Sequence, residues 1–92
     1  MERLTKILEN DEFYVDTDKV ESIQNGYSGE AVNRLGKFEN FYFDLLKSRK
    51  DLPDELQKLK DDGKEKSYRY KELMAKKFTI NHVLGLLDMY DI

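Results

Sequence analysis

The apolar positions of the chain fall into two regimes. Up to residue 25 they come in short runs, and from residue 29 they recur at the three-to-four spacing of helices. The run Leu4–Leu8, the polar Glu9-Asn10-Asp11-Glu12 and the run Phe13-Tyr14-Val15 predict a short β-hairpin. Asn-Asp is an acceptable turn pair, and Phe-Tyr-Val favours strand. The first run is equally compatible with a turn or two of helix. Asp16 or Thr17 then caps a short helix holding Val20 and Ile23, with Asn25-Gly26 as its stop.

Ser28 predicts the N-cap of a longer helix from about Gly29 to Arg49, with Glu30 in its first turn. Its apolar positions are Ala31, Val32, Leu35, Phe38, Phe41, Tyr42, Phe43, Leu45 and Leu46. With Phe38 set at zero, they spread from about −60° at Phe41 to about +140° at Phe43. That arc is roughly twice the ~100° stripe of an ordinary surface helix. The helix is therefore expected to be central and covered on two sides, by the same chain or by a second copy of it.

Pro53 suits the first turn of a third helix, with Asp54 and Glu55 at its positive end. Gly63 reads as its stop. One helix running on through Gly63 is the alternative. Its seam of Leu56, Leu59, Gly63, Lys66, Tyr70, Leu73 and Lys77 is weakly apolar for a coiled coil. Ser67 caps a fourth helix over about 68–78, with Tyr70, Leu73 and Met74 inward. Thr79 caps a fifth over 80–90, on which Ile80, Val83, Leu84, Leu87 and Tyr90 share a face. The expected fold class is mainly α: a small helical domain of four to five helices, with or without a short N-terminal β-hairpin. It forms a single domain over 1–92, made of a small hairpin or helix unit at 1–25, a central helix at 29–49 and C-terminal helices at 53–92.

Composition narrows the function classes. Hydrophobic residues are 39% and charged residues 38%, with aromatics at 12%, so the chain has the means to build a core. With no cysteine there is no disulfide framework, thiolate metal site or Cys nucleophile. A small secreted domain usually needs such staples, which favours an intracellular setting. No apolar run approaches the roughly 18–20 residues of a membrane span, and Met1–Lys6 lacks a signal-peptide core. The net charge of −3 is uneven. Residues 1–63 sum to −5, residues 64–82 to +4 and residues 83–92 to −2.

Candidate chemistry is sparse. His82 is the one histidine and reads as a rim residue, since no Cys or second His stands by to form a nucleophile–base set or a metal site. The pairs Asp54-Glu55 and Asp61-Asp62 do not follow calcium-loop spacing. Gly26 and Gly29 flank Tyr27-Ser28 ahead of a helix, but no phosphate-loop pattern follows. No catalytic residue, metal, cofactor or small-molecule substrate is therefore expected. Glu39, at about +100° on the central helix, sits inside the apolar arc and needs either a partner or a route to water. Phe41 and Phe43 at the margins of the arc, with Glu39 and Val32, form the expected protein interface. The basic segment offers Lys66, Arg69, Lys76, Lys77 and Asn81 as nucleic-acid contacts. Two helices meeting at Thr79 would resemble a helix-turn-helix, although Thr79 and Gly85 depart from its pattern and Asp88 and Asp91 would repel DNA.

Four stretches resemble a group of small proteins from phages and prophages of Gram-positive bacteria. They are Met1-Glu2-Arg3-Leu4-Thr5-Lys6, Asn33-Arg34-Leu35-Gly36-Lys37-Phe38-Glu39, Tyr68-Arg69-Tyr70-Lys71-Glu72-Leu73-Met74-Ala75-Lys76-Lys77, and Leu86-Leu87-Asp88-Met89-Tyr90. None is a catalytic motif. The resemblance implies a bacterial host cytoplasm and carries over no activity. The expectation is a non-enzymatic accessory protein that binds a macromolecule. Its partner would be a protein or a second copy of the chain in a homodimer, with nucleic-acid binding through 64–82 as the alternative and no membrane.

Overall fold

The computed structural model describes residues 1–92. Four short strands precede two long helices. The strands are β1 (Thr5–Ile7), β2 (Phe13–Val15), β3 (Glu21–Ile23) and β4 (Gly26–Ser28). The helices are α1 (Glu30–Asp61) and α2 (Tyr68–Asp88), and a single 3-10 turn covers Thr17–Lys19. The chain divides into two compact units, Met1–Asn40 and Phe41–Ile92, with the boundary inside α1. The expected four to five helices are thus corrected to two, accompanied by two antiparallel hairpins.

In the first unit β1 pairs with β2, placing Thr5 opposite Val15, Lys6 opposite Tyr14 and Ile7 opposite Phe13. The hairpin expected from the two apolar runs is present. Its loop closes when the Asp11 N–H donates to the Leu8 carbonyl (3.1 Å) and the Leu8 N–H donates to the Glu12 carbonyl (2.7 Å). Asp11 completes the turn at φ +65°, a left-handed conformation that Asp tolerates better than most residues. Across the hairpin the Lys6 ammonium donates to the Asp16 carboxylate at 2.7 Å. That hydrogen bond, helped by the charge of Asp16, raises the Lys6 pKa above its ordinary value.

The second hairpin replaces an expected helix. β3 pairs with β4 through Glu21–Ser28, Ser22–Tyr27 and Ile23–Gly26, turning over Gln24-Asn25. Asn25 is a natural turn residue, and with Ile23 and Tyr27 on either side the stretch can close a hairpin as readily as stop a helix. A helix here would have had only Val20 and Ile23 to bury, too little to hold it together. Asp16 makes no side-chain cap, and its carbonyl instead accepts from the Lys19 N–H at 3.0 Å.

Gly29, rather than the expected Ser28, stands at the entry to α1. Its carbonyl accepts the Asn33 N–H at 2.9 Å, while Ser28 ends β4. The choice of glycine is forced twice. Its φ is +116°, and a Cβ there would lie 2.8 Å from the Lys19 carbonyl oxygen and 2.9 Å from the Val20 Cα. Glu30 in the first helical turn reaches Lys19 at 3.5 Å, where a carboxylate also complements the positive end of the helix. Leu4 is the one buried apolar side chain of this unit. Nearby the Arg34 guanidinium donates to the Glu2 carbonyl.

The second unit is a helical hairpin. On α1, Tyr42, Leu45, Arg49, Leu52, Leu56 and Leu59 follow alternating steps of three and four; on α2, Tyr70, Leu73, Lys77, Ile80, Leu84 and Leu87 do the same. The short link 62–67 turns the chain back, so the two stripes meet antiparallel. Leu52, Leu56, Leu73, Ile80 and Leu84 are buried together, with Tyr42, Leu45, Leu46, Leu59, Tyr70, Met74 and Leu87 packed against them.

This seam explains both helix fusions. Pro53 was expected to start a new helix but lies inside α1. A mid-helix proline costs ~3 kcal/mol through the lost hydrogen bond and ring clash. Leu52 and Leu56 are 3% and 6% exposed, and burying each is worth about 1.5–3 kcal/mol. Breaking the helix would sacrifice that register, so the helix continues. Thr79, expected as a cap, likewise lies inside α2, where its hydroxyl donates to the Ala75 carbonyl at 3.1 Å. Flanking Ile80 and Leu84, each 4% exposed, keep the helix on the seam.

The ends of the hairpin behave as their residues dictate. Gly63 sits at φ +71°, its N–H donating to the Lys60 carbonyl (3.0 Å) while the Lys64 N–H reaches the Leu59 carbonyl (2.8 Å). These two bonds make a Schellman stop, which closes the alternative of a helix running through Gly63. The Ser67 hydroxyl then accepts the Tyr70 N–H at 3.2 Å and caps α2.

Three predictions test this account. Replacing Pro53 with Ala restores a helical hydrogen bond and should stabilise the chain by about 1–3 kcal/mol, read as a higher urea midpoint. Gly63→Ala meets only the left-handed φ, since no atom lies within 4 Å of its Cβ, and should cost about 1–2 kcal/mol. Gly29→Ala adds a backbone clash. It should disrupt the first unit, seen as loss of amide protection in β3 and β4 while α2 stays protected.

Candidate functional site

The residues expected at a protein interface divide between the two units. Val32 and Glu39 belong to the first, Phe41 and Phe43 to the second. All four are exposed. Phe41 is 48% and Phe43 60% exposed, whereas Tyr42 between them packs on the core. Phe43 is held edge-on to the Tyr42 ring, with centroids 5.4 Å apart and planes at 74°. Such a contact orients the ring without covering it. Glu39 needs no buried partner, since its side chain reaches water.

A second apolar surface lies on α2 and was not singled out in the sequence. Tyr68, Phe78, Leu86 and Met89 are exposed, Phe78 by 64% and Met89 by 78%. They lie on the face opposite Leu73, Ile80 and Leu84. Tyr90, expected to share the inward face, is 78% exposed because α2 ends at Asp88. The signal was available: Ala75, Phe78, Leu86 and Met89 keep helical spacing on the side of α2 away from the seam, so this helix is apolar on two faces. The first unit adds an exposed cross-strand pair, Ile7 and Phe13.

The expected nucleic-acid contacts do not form one patch. Lys66 lies in the link before α2. On α2, Arg69 and Lys76 lie to one side of the core stripe; Lys77 falls on the stripe itself and Asn81 beyond it, about 100° or more from Lys76. Arg69 is committed to Glu72 at 3.0 Å. Lys76 lines a shallow depression with Asp44, Asp51 and Glu55, whose carboxylates oppose a phosphate. The expected turn at Thr79 is absent, because α2 is continuous there. The helix-turn-helix reading is therefore corrected.

The side chains able to catalyse or ligate are dispersed. His82 is exposed on α2, and no group of three or more His, Asp or Glu side chains is arranged to hold a metal ion. Asp61 accepts a hydrogen bond from the Gln57 amide at 2.8 Å, which makes it part of the helix end. No buried polar side-chain atom lacks a partner. No helix is long and apolar enough to cross a membrane.

No protein-family model, curated protein or solved structure matches the chain. What the chain does must be argued from its own surfaces.

His82→Ala offers a direct check on the absence of a ligand role. Stability should stay within about 0.5 kcal/mol of the parent by urea melt, and zinc or chelator should shift the melting temperature of neither protein.

Proposed function

We propose that the chain is an accessory protein of phage or prophage origin that works in the bacterial cytoplasm by binding another protein, without catalysing a reaction. One observation supports this above the others. Only six apolar side chains are buried, while seventeen large ones stand exposed. Scattered exposed apolar residues are ordinary. Here, however, aromatics on helical faces are among the most exposed, and aromatic side chains are the usual anchors of protein interfaces. The mechanism is occlusion or scaffolding, with the helical hairpin as a rigid support and Phe41 and Phe43 among the contacts. The resemblance of four sequence stretches to phage and prophage proteins supports the origin and the compartment.

The test is an affinity capture of tagged chain from a Gram-positive host lysate, with nuclease and moderate salt, beside a Phe41→Ser/Phe43→Ser variant. The expected outcome is a stoichiometric protein partner that withstands both treatments and is retained at least tenfold less by the variant. Capture of nucleic acid that salt releases, and that Lys76→Glu/Lys77→Glu abolishes, would replace this reading with a nucleic-acid one.

A further inference from the structure

The turn between β3 and β4 holds a reactive pair. The side-chain Cγ of an asparagine can approach the main-chain nitrogen of the next residue and close a five-membered ring. When the next residue is glycine, no side chain screens that nitrogen. Among the five asparagines of the chain, Asn25 alone is followed by glycine. Asn25 and Gly26 are both exposed, and nothing lies within 4 Å of where a Gly26 Cβ would be. We propose that Asn25 is a site of spontaneous deamidation through a succinimide, and that the reaction opens the second hairpin as the protein ages.

The chemistry needs only water. The Gly26 nitrogen bonds to the Asn25 Cγ and gives up its proton, and the Nδ2 group leaves with a proton as ammonia. Water then adds to one of the two ring carbonyls. Cleavage of the new bond at Cγ leaves an aspartate in an unchanged backbone. Cleavage at the main-chain carbonyl leaves an isoaspartate, whose backbone runs through Cβ and Cγ and is one carbon longer.

Conformation selects Asn25 over the other four. Asn33 and Asn40 lie in α1 and Asn81 in α2. There the following N–H is engaged in the helical ladder and held away from the side chain. Asn10 is followed by Asp11, which carries a side chain, and its own Oδ1 accepts the Glu12 N–H at 3.2 Å. Gly26 is held more loosely. It pairs with Ile23 at the closing end of a two-stranded sheet. Neither Gln24 nor Asn25 takes a positive φ, the device by which two-residue turns match the twist of paired strands. An isolated two-stranded hairpin is marginal in any case. The closing pair therefore frays, and each opening frees the Gly26 nitrogen and lets the Asn25 backbone turn to meet it.

The isoaspartate product lengthens a two-residue loop, and loop length sets the register of a hairpin. Ile23 and Gly26 then lose their pairing. Either product adds a negative charge to a chain whose net charge is −3. The change lies in the first unit and leaves the seam of the second intact. It stands independently of the target proposed above.

The test ages the full chain at about pH 8 and 37 °C over several weeks. Trypsin, applied briefly at mildly acidic pH, releases residues 20–34, which carry Asn25 and Asn33 together. Tandem mass spectrometry should find the mass gain of amide-to-acid conversion at Asn25 at least tenfold faster than at Asn33. Gly26→Ala should slow that gain at least tenfold with the circular dichroism spectrum unchanged, since its Cβ meets open space. The isoaspartate form, isolated by anion exchange, should lose amide protection in β3 and β4 and keep it in α2. Equal rates at Asn25 and Asn33, or a rate unmoved by Gly26→Ala, overturn the modification site. An isoaspartate form that keeps β3 and β4 protected overturns the opening of the hairpin.

Discussion

The seam between α1 and α2 is the constraint on which most of this structure depends. Five aliphatic side chains, Leu52, Leu56, Leu73, Ile80 and Leu84, are taken almost entirely out of water. Their spacing requires long, uninterrupted helices, because a break on either strand of the hairpin rotates the next leucine away from its partners. A proline and a threonine that would end helices elsewhere are carried through by this requirement. Local propensity is worth tenths of a kcal/mol to about 3 kcal/mol per residue, and a row of buried leucines exceeds it.

Where local signals and tertiary packing agreed, the sequence could be read. Ser67 is a cap and sits where a cap belongs; Gly63 is a stop and adopts the left-handed φ of one. The runs on either side of Asn10-Asp11 pair as their composition suggests. The failures share a cause. Pro53 and Thr79 were weighed by their own preferences, without the buried Leu52 and Leu56, or Ile80 and Leu84, that override them. Asn25-Gly26 was weighed as a helix terminator, although Ile23 and Tyr27 on either side made a tight turn equally natural. Gly29 was legible as a turn or cap glycine ahead of the helix, but the close passage of the Lys19 and Val20 backbone that also demands it was not.

The surfaces were less legible than the fold. Periodicity identified Phe41 and Phe43, and both are exposed on α1. It overlooked the outer face of α2, because each short segment was assigned a single inward face. Once α2 is continuous, its apolar residues sort into two stripes instead of one. The basic residues that looked like a cluster in the sequence are parted by that geometry, and two of them lie beside carboxylates. A run of like charge in the sequence becomes a patch only if the helix brings it to one side.

The closeness in sequence of almost every pairing has a consequence for synthesis. β1 meets β2 across a five-residue loop, β3 meets β4 across two residues, and α1 meets α2 across the link 62–67. Each element finds its mate as soon as both have been made, so little loop-closure entropy delays any step. Such low contact order belongs to chains that fold in microseconds to milliseconds. Elongation proceeds at ≈ 5–20 residues per second, so the ribosome, rather than the search for the native contacts, sets how soon this protein is ready to act.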